Sequence, residues 1–248
     1  MTLPAPFRWE GEHVGIALPG ARALFTTRRG GVSSGPYRSL NLGLWTDDSP
    51  ACVSENRDRV AALLGIERGR FAQGRQVHGA VVRRVVSPPS GDPVAADGQA
   101  TALAGVAPVV LVADCLPIAI AGEGAVAMLH AGWRGLAGGV VAEGVRALRE
   151  LGASGPLTAA VGPGAGVCCY EVGEEVHSEF AAFGAGVRSG RNLDLKAVAR
   201  AQLEGAGIEE VHDSRLCTMC SDPRLFFSHR RDGGVTGRQA GVAWREPA

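Results

Sequence analysis

Short apolar runs broken by glycine, proline or charged residues recur along the whole chain. Segments 22–27, 76–86, 108–113, 116–121, 125–130, 157–161 and 239–244 are predicted as strands, several of them apolar throughout, as expected of strands covered on both faces. Helical spacing separates some of these runs. Ser49-Pro50 supplies an N-cap and first-turn pair for a helix reaching Leu64, and segment 136–151 carries apolar side chains at 136, 140, 141, 145, 148 and 151. Segments 174–183 and 193–203 are also predicted helical. No long linker or fixed-period repeat interrupts the pattern, so it predicts one domain over residues 1–248, mixed α/β or α+β, with the sheet order open.

The runs 116–121 and 125–130 flank Gly122-Glu123-Gly124, a link of hairpin length. Folding about Glu123 pairs position 116 with 130 and 115 with 131, which brings Cys115 and His130 together at one end of a sheet. A thiolate and an imidazole so placed form either half of a zinc site or a cysteine–histidine nucleophile pair. Among the six histidines, His78 stands at a glycine break in Gln76-Val77-His78-Gly79, where a side chain is presented at a sheet rim. His78, Cys115 and His130 are therefore the best ligand set: two imidazoles and one thiolate leave zinc a fourth position, the pattern of a catalytic site. Ordinary packing of three non-local residues competes with this reading. Ala131-Gly132-Trp133-Arg134-Gly135 follows directly, a glycine-rich strand-to-helix turn whose backbone donors, with Arg134, suit an anion.

Composition narrows the field. The 248 residues carry 25 Lys+Arg against 25 Asp+Glu, without a basic block, which argues against nucleic acid or an anionic membrane as partner. The N-terminal stretch lacks a cationic segment leading into an apolar one, so the expected address is the cytoplasm. Six cysteines are then expected as thiols available for ligation, catalysis or packing. Six scattered histidines are too few for a type 1 copper plus a trinuclear cluster, which disfavours copper against zinc.

A set of motifs is more specific than any single spacing. In chain order they are Thr26-Thr27-Arg28-Arg29-Gly30-Gly31-Val32-Ser33, Ser39-Leu40-Asn41-Leu42-Gly43, Glu55-Asn56-Arg57, Gln76-Val77-His78-Gly79, Ala113-Asp114-Cys115-Leu116-Pro117, His130-Ala131-Gly132-Trp133-Arg134-Gly135, Gly162-Pro163, Cys169-Tyr170-Glu171-Val172-Gly173 and Phe226-Phe227-Ser228-His229-Arg230-Arg231. In this order they resemble the laccase-domain family, first labelled multicopper polyphenol oxidoreductase and now described as purine nucleoside phosphorylase or, in some bacteria, peptidoglycan editing factor. The resemblance implies a single domain with two mixed β-sheets packed between helices and zinc at His78, Cys115 and His130. It further implies phosphorolysis of adenosine, inosine, guanosine and methylthioadenosine with adenosine deamination, so that purine nucleosides and phosphate are the partners. His229, where many relatives have tyrosine, and Gly164-Ala165-Gly166-Val167 depart from the pattern and bear on the pocket rim.

Other residues carry two readings each. Arg57 projects from the apolar face of the predicted 50–64 helix, so it either reaches into a pocket to hold phosphate or substrate, or meets an internal partner. Arg28 and Ser33, in a glycine-rich loop, could hold phosphate or ribose or belong to a mobile hairpin loop with solvated charges, and Asn41 could read a ribose or base edge or bond its own backbone. Asp114 could orient a ligand, move a proton or satisfy a strand end. Cys217-Thr218-Met219-Cys220 has the spacing of half a zinc knuckle without a second Cys-x-x-Cys, which favours structural thiols there. Cys168-Cys169-Tyr170-Glu171 follows Gly162-Pro163-Gly164 in a turn-rich loop that either closes over the site or simply packs, the second being preferred. A cysteine hydrolase with Cys115 as nucleophile and His130 as base, acting on a cell-wall precursor, is the alternative activity.

Overall fold

The computed structural model describes residues 2–246. Its strands are β1 (Arg8–Glu10), β2 (His13–Leu18), β3 (Ala21–Phe25), β4 (Phe71–Gln73), β5 (Val82–Val85), β6 (Gly98–Thr101), β7 (Ala107–Val112), β8 (Leu116–Glu123), β9 (Ala125–Ala131), β10 (Ser154–Val161), β11 (Arg188–Ser189), β12 (Asn192–Leu193), β13 (Glu210–Asp213) and β14 (Gln239–Arg245). The helices are α1 (Pro50–Leu64), α2 (Trp133–Ala137), α3 (Val140–Glu150), α4 (Glu174–Glu179) and α5 (Leu195–Gly205).

Two six-stranded sheets run β1-β2-β3-β14-β7-β4 and β13-β10-β8-β9-β6-β5, and β11 and β12 form a small hairpin apart from them. Both sheets are mixed: β4 with β7, β5 with β6 and β10 with β13 pair parallel, and the other pairs are antiparallel. The sheets pack face to face over Val14, Ile16, Phe25, Val110, Val112, Ala119, Val126 and Met128. The alternate residues of the second sheet, such as Leu116, Ile118, Ile120, Ala127 and Leu129, face Leu136, Val140, Leu148, Val198 and Leu203 of the helices. On the opposite side, Leu24, Val109, Leu111 and Val242 of the first sheet pack with Val60 of α1 and Ile66 beyond it. Strands β8 and β9 are therefore buried on both faces, which is why they read as unbroken apolar runs.

Helix α1 has the expected bounds, with Pro50 in its first turn and Gly65 closing it at φ 64°. The predicted 136–151 helix is instead α2 and α3, divided at Gly138-Gly139, where Gly139 adopts φ 86°. Helix α4 stops at Glu179 with a 3-10 turn after it, and α5 begins at Leu195 because the Asp194 carboxylate caps it by accepting from the Ala197 amide. Of the predicted 76–86 strand only Val82–Val85 is strand, because the amides of Val77, His78 and Gly79 turn instead onto the Asp97 carboxylate. The hairpin register is also displaced by one residue. His130 lies opposite Pro117, and Leu116 opposite Ala131, because the turn closes on Glu123-Gly124 with Gly124 at φ 93°. Opposed residues share a face and neighbours in sequence do not, so the displacement puts His130 on the same face as Cys115, where the predicted pairing separates them. No helix among the described residues is long and apolar enough to cross a membrane.

Candidate active site

Three loop ends meet where β8 and β9 leave the second sheet. Cys115 immediately precedes β8, His130 lies near the end of β9, and His78 projects from the turn before β5. Their ligand atoms all lie within 4.8 Å of one another, and the two imidazole rings stand edge to face with centroids 4.9 Å apart. His130 is buried, Cys115 half-buried and His78 exposed, so the trio opens to one side. Gly132 makes this approach possible, since a Cβ there would sit 2.9 Å from Cys115 Sγ.

Asp97 organises the trio. It is fully buried, and one carboxylate oxygen lies 2.8 Å from His130 Nδ1 while accepting the His78 amide at 2.8 Å. Its other oxygen accepts the amides of Val77 and Gly79. With Nδ1 held by Asp97, Nε2 is the ring nitrogen left to face Cys115 or, in the neutral ring, a metal, the arrangement typical of a metal-ligating histidine. These bonds also fix His78, whose backbone sits at φ 60° in the left-handed region unusual for a side chain with a Cβ. Burial pushes the Asp97 carboxyl up, yet the His130 bond and the Gly79 and Val77 amides outweigh it and hold the group ionised below its usual range. Burial likewise raises the Cys115 thiol, but His130 and His78 more than reverse this and bring it to about 6. For His130, burial lowers the pKa, and the Cys115 thiolate and Asp97 reverse the sign and raise it above the ordinary imidazole range.

The trio forms the floor of a cavity of about 390 Å³, within the ~300–1,000 Å³ typical of small-molecule sites. Arg134, Arg230 and Arg238 line it together with Asp114, Trp45, Tyr170 and His229. Arg134 lies 4.2 Å above the Trp133 ring, and Arg230 faces Tyr170 while donating to the Glu171 carbonyl. Burial lowers the Arg238 pKa, opposed by the charges of Cys115 and Asp114. Burial pushes the Tyr170 phenol up to about 12, reinforced by the Cys115 charge, so it stays protonated. Asp114, at φ 87°, accepts from Thr218 Oγ1 at 2.6 Å and from the Arg230 amide at 2.8 Å, tying two distant loops to the cavity wall.

The structure thus brings His78, Cys115, His130, Asp114 and Arg134 to one cavity. Arg28, Ser33, Asn41 and Arg57 lie outside its lining. Arg28 donates to the carbonyls of Pro36, Arg38 and Pro223 and stacks 4.3 Å from the Phe227 ring. Arg57 donates to the Leu42 carbonyl at 3.0 Å and to Gln73, and burial lowers it to about 10. Ser33 bonds Asp48 and Asn56. Fully buried Asn41 holds Thr46 and Asp48 through Nδ2, and the amides of Gly43 and Arg238 through Oδ1, so it shapes the cavity rim from behind. Asp97 and Arg238 carry no sequence signal of their own: one follows Ala95-Ala96, the other stands between Gly237 and Gln239. Trp45 offers one, as an aromatic in a stretch rich in turn-forming residues.

Fold and site together define a mixed α/β protein with a His-Cys-His trio beside an arginine-lined cavity. The chain belongs to the multi-copper polyphenol oxidoreductase laccase family, whose model matches residues 22–246. A Deinococcus radiodurans protein named purine nucleoside phosphorylase is 43% identical over 235 residues, spanning 92% of this chain and 89% of its own. A Streptomyces coelicolor protein of the same name is 44% identical, over 91% of this chain and 96% of its own. Among solved structures, YlmD from Geobacillus stearothermophilus superposes with a TM-score of 0.89 at 35% identity, covering 98% of this chain and all of that one. The Bacillus licheniformis hypothetical protein YfiH gives the same TM-score at 31% identity, with the same coverage.

Proposed function

We propose that this chain is a zinc-dependent purine nucleoside phosphorylase. The observation that carries the reading is the meeting, in one cavity, of the His78, Cys115 and His130 trio with Arg134, Arg230 and Arg238. Relatives at 43–44% identity bear that activity as their name. Adenosine, inosine, guanosine and methylthioadenosine are the expected substrates, with deamination of adenosine alongside.

Two imidazoles and a thiolate, one imidazole fixed through Nδ1 by a buried carboxylate, fit zinc. When bound there, zinc supplies Lewis-acid polarisation and acidifies water. The remaining roles belong to the chain. The arginines hold phosphate as an anion against the C1′ face of the ribose. An oxygen of hydrogenphosphate bonds to C1′ as the C1′–N9 bond breaks, and the proton that the phosphate gives up passes to a ring nitrogen of the leaving purine, giving ribose 1-phosphate and the free base. Tyr170, kept protonated, supplies a hydrogen-bond donor near the reacting groups, and Asp114 holds the wall that carries Arg230. Trp45, 61% exposed at the rim, offers an open aromatic face to the base.

A cysteine nucleophile is the second reading, favoured by the depressed Cys115 thiol beside His130. Copper fits less well. Among the described residues, the potential metal-holding groups of three or more side chains are this trio and a set of four cysteines, neither resembling the histidine-rich sites of a multicopper oxidase. Chromatography of products from adenosine, with metal-characterised protein and with or without phosphate, tests the proposal. Adenine release that requires phosphate supports it; adenine release indifferent to phosphate identifies a hydrolase.

A further inference from the structure

Four cysteines from two distant loops converge beside the cavity. Cys168 and Cys169 lie between β10 and α4, and Cys217 and Cys220 between β13 and β14. All six cysteines of the chain are free thiols, and these four Sγ atoms lie within 4.8 Å of one another, with Cys168 Sγ 3.3 Å from Cys220 Sγ and 3.5 Å from Cys169 Sγ. Four sulfurs bound tetrahedrally at a Zn–S distance of about 2.3 Å stand roughly 3.8 Å apart. The two Cys168 separations fall slightly short of that edge and all four sulfurs lie within 4.8 Å of one another, so the cluster is of the size that a tetrahedral ion requires.

At Cys217 the backbone is built for a thiolate. Gly166 N donates to Cys217 Sγ at 3.3 Å, and the amides of Met219 and Cys220 point at the same sulfur, as in the knuckle of a Cys-x-x-Cys metal site. Gly166 also leaves the room required, since a Cβ there would sit 3.2 Å from Cys168 Sγ and 3.3 Å from Cys217 Cβ. The two loops are joined independently of the sulfurs: Gly164 bridges Cys217, and Thr218 N donates to the Gly164 carbonyl. The half-knuckle legible at Cys217 and Cys220 thus finds its other half in two adjacent cysteines, a pairing that no Cys-x-x-Cys search detects.

We propose that Cys168, Cys169, Cys217 and Cys220 form a second, structural metal site that takes zinc. Four soft sulfur donors in tetrahedral reach select it over the oxygen-seeking cations. Such a site pins the loop bearing Tyr170 to the loop bearing Thr218, and Thr218 in turn holds Asp114 beside Cys115. It stands apart from the open trio and does not depend on what that trio binds.

Zinc content and X-ray absorption of protein purified under reducing, zinc-replete conditions test it. In Cys115→Ala the chain retains one zinc, with sulfur as the only atom bound to it, and adding Cys168→Ser and Cys220→Ser removes it. In the otherwise intact chain, the Cys168→Ser/Cys220→Ser pair, at exposed loop positions, lowers zinc by one per chain with unchanged circular dichroism. Absence of zinc from folded Cys115→Ala, nitrogen in its coordination shell, unchanged stoichiometry in the double variant, or a disulfide among the four in non-reducing mass spectrometry of the same preparation would each overturn the assignment. If the trio binds no metal, wild type and Cys115→Ala hold the same single sulfur-bound zinc, which separates failure of the enzymatic reading from failure of this one.

Discussion

His130 Nδ1 lies 2.8 Å from Asp97 Oδ1, and the same oxygen takes the His78 amide. One buried carboxylate therefore sets the ring of one histidine and the backbone of another, coupling the two imidazoles across 52 residues of sequence. Asp97→Ala should lower zinc affinity at the trio by about 10–100-fold, read by competition with a calibrated chelator. Asp97→Asn, which can still accept one bond, should lose less. An affinity indifferent to both changes would mean that Asp97 does not orient the ligands.

The arginines divide into two groups by where they stand. Arg238 also donates to backbone, the Thr236 and Gly237 carbonyls, but it faces the cavity, whereas Arg57 is engaged with the Leu42 carbonyl and Gln73. Loss of a charge-assisted bond is worth about 1.5–3 kcal/mol, so Arg238→Ala should raise the KM for phosphate roughly 10–100-fold while zinc content holds. Arg57→Ala should instead lower stability by about 1–3 kcal/mol, with the phosphate KM unchanged. The reverse pattern in steady-state kinetics and denaturant melts would place phosphate at Arg57.

Trp45 should act on the nucleoside alone. Stacking of a base on an aromatic face is worth about 1–3 kcal/mol, so Trp45→Ala should raise the nucleoside KM roughly 10-fold and leave the phosphate KM alone. Trp45→Phe should recover most of the loss. Equal effects on both substrates would assign Trp45 to the shape of the rim instead.

Acid should weaken the loop that follows Phe227. Burial raises the Asp232 carboxyl, but bonds from Arg231 and Thr236 outweigh it and depress its pKa. A depressed native pKa contributes stability that is complete above the unfolded value of roughly 3.9 and is lost as pH falls through the native one. Asp232→Asn should therefore cost about 1–3 kcal/mol near neutrality, in a gap to wild type that is flat from pH 5 to 7 and closes below pH 4. A gap that widens with acid in urea melts would reverse the assigned sign.

The parts of the fold readable in advance are those where burial on both faces writes an apolar run, such as β7, β8 and β9. Strand β6 escapes such a reading because Gln99 and Thr101 are buried in it as polar residues, Thr101 bonding the Val85 carbonyl. The trio was legible because a hairpin brings Cys115 and His130 together and a glycine break marks His78. Its register was not: the left-handed Gly124 moves the turn by one residue, a choice made by backbone geometry and not by apolar pattern. Asp97 could not be found from sequence because its partners lie 18 to 33 positions away. For Arg28, Ser33, Asn41 and Arg57, polarity beside apolar residues signals a required partner, and only the fold shows that each meets loop backbone or neighbouring side chains.

Phosphorolysis is tested most directly by incubating adenosine with zinc-loaded protein in phosphate whose oxygens carry oxygen-18, and following the sugar product by mass spectrometry. The account predicts ribose 1-phosphate that retains all the labelled oxygens of one phosphate, formed in step with adenine and abolished in His130→Ala. Unlabelled free ribose accompanying adenine, or labelled product undiminished in metal-free His130→Ala, would contradict it.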